Sequence, residues 1–380
     1  MDLQECIVEI DKVVAGGNGM ARLQGKVIFV RGALPQEKLR VRLVQEKRDH
    51  AFAEILEILT AHPQRISAPC PHYGECGGCD FQHADEALQT ALKMSIIQDS
   101  WTRLAKMDAP AFSWHAGTQF AYRNRMQLHR RGQGFGLRSY ESSHTVGIPE
   151  CVVASPEIKP FLQSDFKIDW PAPERCPVFG HAGSVWIGGK DTEVSLSIDD
   201  LSISFPMNGF FQSNVECLRL LGNWIVERLK VWCKLPVRMV DAYGGTGTFS
   251  VLLQEIWSSS LLVEQDHELV KFARKNVVKP GAKFFSGNVE SWLSKTRQQG
   301  NIADLIVCDP PREGLGRDFV AWLIATRPHT IVYVSCNPVT QARDARELIL
   351  SGYAVKDMAG FDFYPQTWHI ETCMIFQRPI

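Results

Sequence analysis

The sequence predicts an α/β protein: a parallel-rich sheet with helices on both faces, preceded by a small β-barrel and a central β-rich segment. Three observations carry this. From about residue 208, apolar stretches of strand length alternate with segments of helical periodicity. Residues 1–61 break instead into short alternating pieces separated by Gly and Pro turns, the pattern of a small barrel. Val240-Asp241-Ala242-Tyr243-Gly244-Gly245-Thr246-Gly247-Thr248-Phe249 runs from a strand through a glycine turn into a helix. Such a turn lets the backbone approach a ligand and offers it free helix amides.

In the barrel, Cys6–Ile10 alternates, Gly16-Gly17-Asn18-Gly19 turns, and Lys26–Val30, Leu39–Val44 and Ala53–Leu59 add strands. Residues 62–83 are rich in Pro, Gly and Cys. Residues 84–107 predict a helix, with Leu88, Leu92, Ile96, Ile97 and Leu104 near a 3.6-residue period. Residues 115–207 predict short strands. The α/β part then offers helix Asn214–Leu229, strands Arg238–Ala242 and Leu261–Glu264, and helix Asp266–Asn276. Strands Leu305–Cys308, Ile331–Ser335 and Thr372–Gln377 follow. The expected domains are a barrel (1–61), a central domain (62–84 and 115–207) and an α/β domain (85–114 and 208–380).

At 380 residues the chain has room for two or three domains. No apolar run reaches the roughly 20 residues of a spanning helix, so no membrane partner is expected. The first residues lack an export segment, and a cytoplasmic location is expected. Eleven cysteines in that compartment argue for metal or catalysis rather than disulfides. The net charge of −1 gives no global sign of nucleic acid. Locally, Arg123, Arg125, Arg130, Arg131 and Arg138 lie together without an acidic residue among them. Interleaved Tyr122, His129 and Phe135 make the stretch a candidate RNA-facing patch.

Cys336 closes the strand Ile331-Val332-Tyr333-Val334-Ser335 and precedes Asn337-Pro338. Open α/β sheets bind ligands beyond the carboxyl ends of their strands, so this thiol is a candidate nucleophile. A free thiol more often packs than reacts, so its position carries the argument. Glu264 ends the second strand, Asn288 follows the third, and Asp309-Pro310-Pro311-Arg312 ends the fourth. One polar residue per strand end outlines a nucleotide-type site. The glycine turn lacks the third glycine of a dinucleotide fingerprint. Its D-x-x-x-G-x-G form resembles the first motif of methyltransferases that use S-adenosylmethionine. Cys70, Cys76 and Cys79 stand in C-x5-C-x2-C spacing with glycines between. That group suits zinc, with His72 or His83, or an iron–sulfur cluster, with Cys151 as a fourth thiolate.

Three blocks of the chain resemble the RNA 5-methyluridine methyltransferases, above all the iron–sulfur-containing bacterial 23S rRNA uracil-5 enzymes. The first is Asp309-Pro310-Pro311-Arg312-Glu313-Gly314 with Ser335-Cys336-Asn337-Pro338. The second is Phe361-Asp362-Phe363-Tyr364-Pro365-Gln366-Thr367-Trp368-His369-Ile370-Glu371. The third is the cysteine loop with Cys151. Residues 1–61 resemble the family's TRAM domain, an RNA-binding barrel. The resemblance implies a Rossmann-like S-adenosylmethionine-dependent methyltransferase domain, a TRAM/OB-like barrel and a central iron–sulfur domain. It implies Cys336 as nucleophile and Glu371 as base. Gln212, Tyr243, Thr248, Glu264, Asn288 and Asp309 would surround the methyl donor or uracil. Cys70, Cys76, Cys79 and Cys151 would hold a [4Fe-4S] cluster. Tyr243-Gly244 replaces the family's usual Phe-Cys, Thr248 its common Asn, and Tyr364 its usual Phe. The expected substrate is RNA, 23S rRNA first, acted on by a monomer. A transfer RNA uridine is the nearest alternative. Adenine-amino methylation fits less well, because Arg312 stands where its D-P-P-Y motif has an aromatic; cytosine-5 methylation shares the thiol addition and stays a rival; and a non-catalytic RNA-binding module would leave Cys336 and Glu371 without a role.

Overall fold

The computed structural model describes residues 4–140, 142–163, 166–296 and 302–378. Its first six strands are β1 (Glu5–Glu9), β2 (Lys12–Val13), β3 (Asn18–Leu23), β4 (Lys26–Arg31), β5 (Lys38–Glu46) and β6 (His50–Thr60). They form one sheet in the order β1-β5-β6-β4-β3-β2. Alternation turns Val8, Ile28, Val30, Leu39 and Val41 inward to fill the barrel. Its exit is fixed by Glu37, whose fully buried carboxylate accepts bonds from Arg65 Nε (2.6 Å) and Nη2 (2.7 Å). The same carboxylate takes the amides of Leu34 (2.8 Å) and His62 (3.1 Å).

Helix α1 (Glu86–Ser100) is capped by Asp85, whose side chain accepts from the Leu88 amide at 2.8 Å. The helix predicted to residue 107 is shorter. A π-helical turn, Trp101–Ala105, follows, and left-handed Lys106 (φ 59°) stops it. Strand β7 (Ser113–Ala116) comes next. The central sheet holds β8 (Arg125–Arg131), β9 (Gly134–Arg138), β10 (Thr145–Val146), β11 (Arg175–His181) and β12 (Ser184–Ile187), in the order β10-β9-β8-β11-β12.

This sheet corrects the expected RNA-facing patch. Tyr122, His129 and Phe135 are buried, and the Tyr122 hydroxyl donates to Pro365 O at 2.9 Å. Arg125 is half-buried and donates through Nη2 to Met207 O at 3.0 Å. Half-buried Arg123 reaches the internal cavities, whereas Arg130 and Arg131 are exposed. The period-2 alternation of β8 sends its side chains to two faces, so a linear run of arginines does not make one patch.

Strands β13 (Glu193–Ile198) and β14 (Leu201–Pro206) form a hairpin. Its Val194, Leu196, Ile203 and Phe205 share an apolar cluster with Leu218, Leu221 and Ile225 of helix α2 (Val215–Trp232). The hairpin therefore packs with the α/β part, although the sequence reading groups it with the central segment. The remaining elements are β15 (Val237–Ala242), α3 (Thr248–Leu252), β16 (Trp257–Glu264), α4 (His267–Asn276), β17 (Ala282–Ser286) and α5 (Val289–Thr296). Then come β18 (Leu305–Cys308), α6 (Gly316–Thr326), β19 (Thr330–Ser335), α7 (Pro338–Leu350), β20 (Ala354–Asp362) and β21 (Glu371–Gln377).

The large sheet runs β17-β16-β15-β18-β19-β21-β20-β7. Strands β15 to β19 are parallel, and β21 lies antiparallel between β19 and β20. Strands β18, β19 and β21 are buried along their whole length, which the near-continuous apolar runs of β18 and β19 predict. Among the described residues no helix is long and apolar enough to cross a membrane.

A buried ion pair joins α1 to this sheet. Lys93 Nζ stands 2.6 Å from Asp362 Oδ1, with both side chains almost fully buried. The ammonium also donates to Tyr364 O at 3.0 Å. It therefore anchors the loop that leads to β21. Removing one partner leaves an uncompensated buried charge, at a cost of about 3–5 kcal/mol. Lys93→Met should lower stability by that amount in denaturant unfolding. Adding Asp362→Leu should recover much of it, and equal losses for the single and double variants would contradict the pair's role.

Candidate active site

The ladder between β19 and β21 ends with Ser335 paired to Thr372. One step further, Cys336 and Glu371 face one another across the end of the sheet. Thr372 Oγ1 donates to Gln341 Oε1 (2.6 Å), and Gln341 Nε2 donates to Tyr333 O (2.9 Å), which fixes this strand end internally. Asn337 caps α7, accepting from the Val339 amide at 3.1 Å. Its Nδ2 donates to Arg312 O at 2.9 Å, as does Thr340 Oγ1 at 3.0 Å. The loop after β18 and the loop after β19 are thus locked together, and Arg312 and Cys336 line the same cavity.

Cys336 and Glu371 line one cavity of about 350 Å³ with Arg312, Arg123, Tyr364 and His369. Gly77, Gly78 and Asp80 of the cysteine loop form another wall. Glu371 is 5% exposed, and its Oε2 is buried without a hydrogen-bond partner. Burial raises its pKa well above the usual carboxylate range; Asp309 adds to this and Arg312 opposes it. Burial pushes the Cys336 thiol up to about 12, with Glu371 and Asp309 adding and Arg312 opposing. Burial, then Asp241, raises Asp309. Burial, then Arg312, lowers His369 to about 4. In the free protein at neutral pH the thiol is protonated and His369 is neutral.

The other predicted residues stand along the neighbouring strand ends. In register, Ala242 lies level with Val263 and Cys308, and Glu264 with Ser286. Tyr243, Glu264 and Asp309 therefore reach one edge of the sheet. Tyr243 adopts the left-handed region (φ 61°) and sets its ring 5.9 Å from Phe319. Glu264 Oε2 accepts from the Gly245 amide (3.0 Å), clamping the glycine turn. Thr248 opens α3 directly after left-handed Gly247 (φ 83°). Asn288 Oδ1 accepts from the Ser291 amide at 2.9 Å, at the start of α5. Gln212 is buried in the loop before α2, and its Oε1 has no partner. Two buried acceptors without donors, on Gln212 and Glu371, are what a site awaiting a polar ligand presents. The aligned strand ends and the glycine turn suit a nucleoside-type methyl donor.

Asp241, fully buried, accepts from Ser250 N (3.0 Å) and Oγ (2.6 Å) and braces the glycine turn from beneath. The roles of Arg312, Tyr364 and His369 as cavity walls were not assigned from sequence. All three lie inside the quoted motifs, so proximity to Cys336 and Glu371 was the available signal. Arg123 and Asp80 reach the cavity from distant segments, and no local pattern marks them.

Cys70, Cys76, Cys79 and Cys151 line one further cavity, beside Arg123 and Tyr73. Burial pushes Cys79 up to about 12. Among the described residues no three His, Cys, Asp or Glu side chains converge closely enough to share one metal ion. His83 is engaged by the Tyr73 hydroxyl.

Comparison with known proteins defines the class. A TRAM domain matches residues 4–56, and a family described as tRNA (Uracil-5-)-methyltransferase matches residues 295–379. The crystal structure of Pyrococcus abyssi tRNA (uracil-54, C5)-methyltransferase, in complex with S-adenosyl-L-homocysteine, shares the fold. Its TM-score is 0.72 at 20% identity, over 98% of this chain and 100% of that one. The architecture is thus a methyltransferase domain of the S-adenosylmethionine-dependent kind, joined to a TRAM barrel. An RNA methyltransferase of Treponema denticola is 31% identical over 99% of this chain and 100% of its own. The 23S rRNA (uracil(1939)-C(5))-methyltransferase RlmD of Shewanella sediminis is 30% identical over 97% of this chain and 95% of its own. The chain belongs to the RNA uracil-C5 methyltransferase family, enzymes that use S-adenosylmethionine to methylate uridine in RNA.

Proposed function

We propose that the protein methylates carbon 5 of a uridine in 23S rRNA, with Cys336 as nucleophile and Glu371 as base. One observation carries the residue roles: the β19–β21 register sets the thiol across from a buried carboxylate whose Oε2 has no partner. The full-length likeness to the Shewanella enzyme carries the choice of RNA. The transfer RNA alternative rests on a likeness of fold.

Uracil carbon 5 is a weak nucleophile in the intact ring. The Cys336 thiol gives up its proton to water and, as thiolate beside Arg312, adds to carbon 6, forming a C–S bond and an enolate that concentrates electron density on carbon 5. Bound S-adenosylmethionine would supply an electrophilic methyl and a positive charge, with Gln212, Tyr243, Thr248, Glu264, Asn288 and Asp309 placed around the methyl donor or the uracil. After methyl transfer to carbon 5, Glu371 as carboxylate takes the carbon 5 proton, the carbon 5–carbon 6 double bond re-forms, and the C–S bond breaks to release Cys336 as thiolate. Arg312 favours the anionic forms of both Cys336 and Glu371. A base inside folded RNA must be unstacked to enter such a cavity. Free thiol chemistry suits a reducing compartment, so cytoplasmic action by a monomer is part of the proposal.

Cys70, Cys76, Cys79 and Cys151 are proposed to hold a [4Fe-4S] cluster. Four cysteines around one cavity are the ligand set that a four-iron cluster takes. The cluster would fix the loop whose Gly77, Gly78 and Asp80 wall the catalytic cavity.

Cells lacking the protein should lose one 5-methyluridine from 23S rRNA in nucleoside mapping. Wild type should restore it and Cys336→Ala should not. Unchanged 23S rRNA with a missing mark in transfer RNA would sink the choice of substrate. Glu371→Gln should accumulate an RNA–protein adduct carrying the methyl, seen as a shifted band and by mass. Release of methylated RNA at the wild-type rate would count against Glu371 as base. Cys151→Ser should lower bound iron severalfold in metal analysis, and full iron retention would remove it from the ligand set.

A further inference from the structure

The barrel touches the catalytic loop directly. The turn between β2 and β3 carries Gly17 in the left-handed region (φ 79°), where the backbone favours glycine. A Cβ on Gly17 would stand 3.1 Å from Cδ1, 3.2 Å from Cβ and 3.3 Å from Cγ of Trp368. The turn therefore lies on the indole, closer than a side chain there allows without the indole giving way. The surroundings fasten this contact. Val13 and Leu34 of the barrel share an apolar cluster with Phe81, Ala84 and Leu88, and half-buried Trp368 packs against it. Lys12, beside the turn, pairs with Asp99 of α1.

Trp368 is held from a second side. Its amide donates to Asp80 Oδ2 at 3.3 Å, and the amides of Asp80 and Phe81 donate to Gln366 O at 2.8 and 2.9 Å. The indole lies 4.4 Å from the His369 ring, and His369 meets Tyr364 edge-on at 5.6 Å. His369 and Tyr364 line the catalytic cavity with Cys336 and Glu371, whereas Trp368 stands behind them. Contacts thus run from a barrel turn through the indole to two walls of the cavity, and Glu371 follows in the same segment. An aliphatic side chain would fill this junction; a ring packed on a ring also fixes an orientation.

We propose that Trp368 is a positioning residue for methyl transfer: the glycine turn bears on the indole, the indole sets the His369 ring, and His369 with Tyr364 sets where a uracil sits between Cys336 and Glu371. The proposal rests on Cys336 and Glu371 being the catalytic pair. It makes turnover depend on how the barrel is seated, apart from any affinity of the barrel for RNA. Reacting groups misplaced by about 1 Å lose up to about a hundredfold in rate, so the effect falls on kcat.

The test uses full-length protein, labelled S-adenosylmethionine and bulk RNA from cells lacking the protein. Trp368→Ala should lower kcat roughly ten- to hundredfold, with KM for RNA within about twofold. Trp368→Phe, which keeps a ring over His369, should retain kcat within roughly threefold. Trp368→Leu, which refills the junction without a ring, should lose kcat as the alanine variant does, and it replaces that variant if alanine lowers the melting temperature. Gly17→Ala should lower kcat about tenfold in the wild-type background and less than about twofold in the Trp368→Leu background, because the turn acts through the indole. Wild-type kcat in either Trp368→Ala or Trp368→Leu would overturn the proposal. A raised KM at unchanged kcat would make the indole an RNA contact and also overturn it, as would Gly17 and Trp368 losses that multiply independently. No methylation of any RNA by the wild type, or full turnover by Cys336→Ala, would instead overturn the proposed function.

Discussion

Buried acidity governs this site. Strands β18, β19 and β21 are buried throughout, and their ends bring Asp309, Cys336 and Glu371 to one end of the sheet, where Glu371 is buried and Cys336 half-buried. Asp241 lies beneath, and Arg312 faces the group. Charged forms of a thiol and several carboxyls in low dielectric are costly without a counter-charge. The free enzyme therefore holds its thiol protonated, with a pKa of about 12. A cationic methyl donor is the partner that such a crevice favours. On this reading the chemistry is gated: the nucleophile ripens when donor and RNA are both in place.

The surrounding architecture holds the walls of that cavity in register. The Lys93–Asp362 pair pins the segment between β20 and β21, from which Tyr364, His369 and finally Glu371 emerge. On the other side Asn337 and Thr340 hold Arg312 through its carbonyl. The cysteine loop closes a third wall, and the barrel joins it through the Glu37–Arg65 pair. The cysteine loop, the segment around Arg123 and the α/β part all line one cavity, which explains why its residues are so dispersed along the chain.

Much of this was legible in the sequence because buried parallel strands announce themselves. Leu305–Cys308 and Ile331–Ser335 read as continuous apolar runs, and Asp309 and Cys336 follow directly from their ends. Strand β20 was not legible: a bulge between Val355 and Asp357 breaks its alternation. Strand β7 has four residues, too few for a periodic signal. The hairpin β13–β14 reads as local β structure, and its partner α2 is set by tertiary packing. The arginine stretch misled because strand geometry, not linear spacing, decides exposure. Arg123 turned inward, and Tyr122 and Phe135 became core.

The most direct test is an ultraviolet thiolate titration of Cys336, taken as the difference between wild type and Cys336→Ala in the donor-free protein. The account predicts no thiolate band at neutral pH, a band that grows only in strong alkali, and a further upward displacement in Arg312→Ala. A fully developed thiolate band at neutral pH in the free enzyme would contradict it.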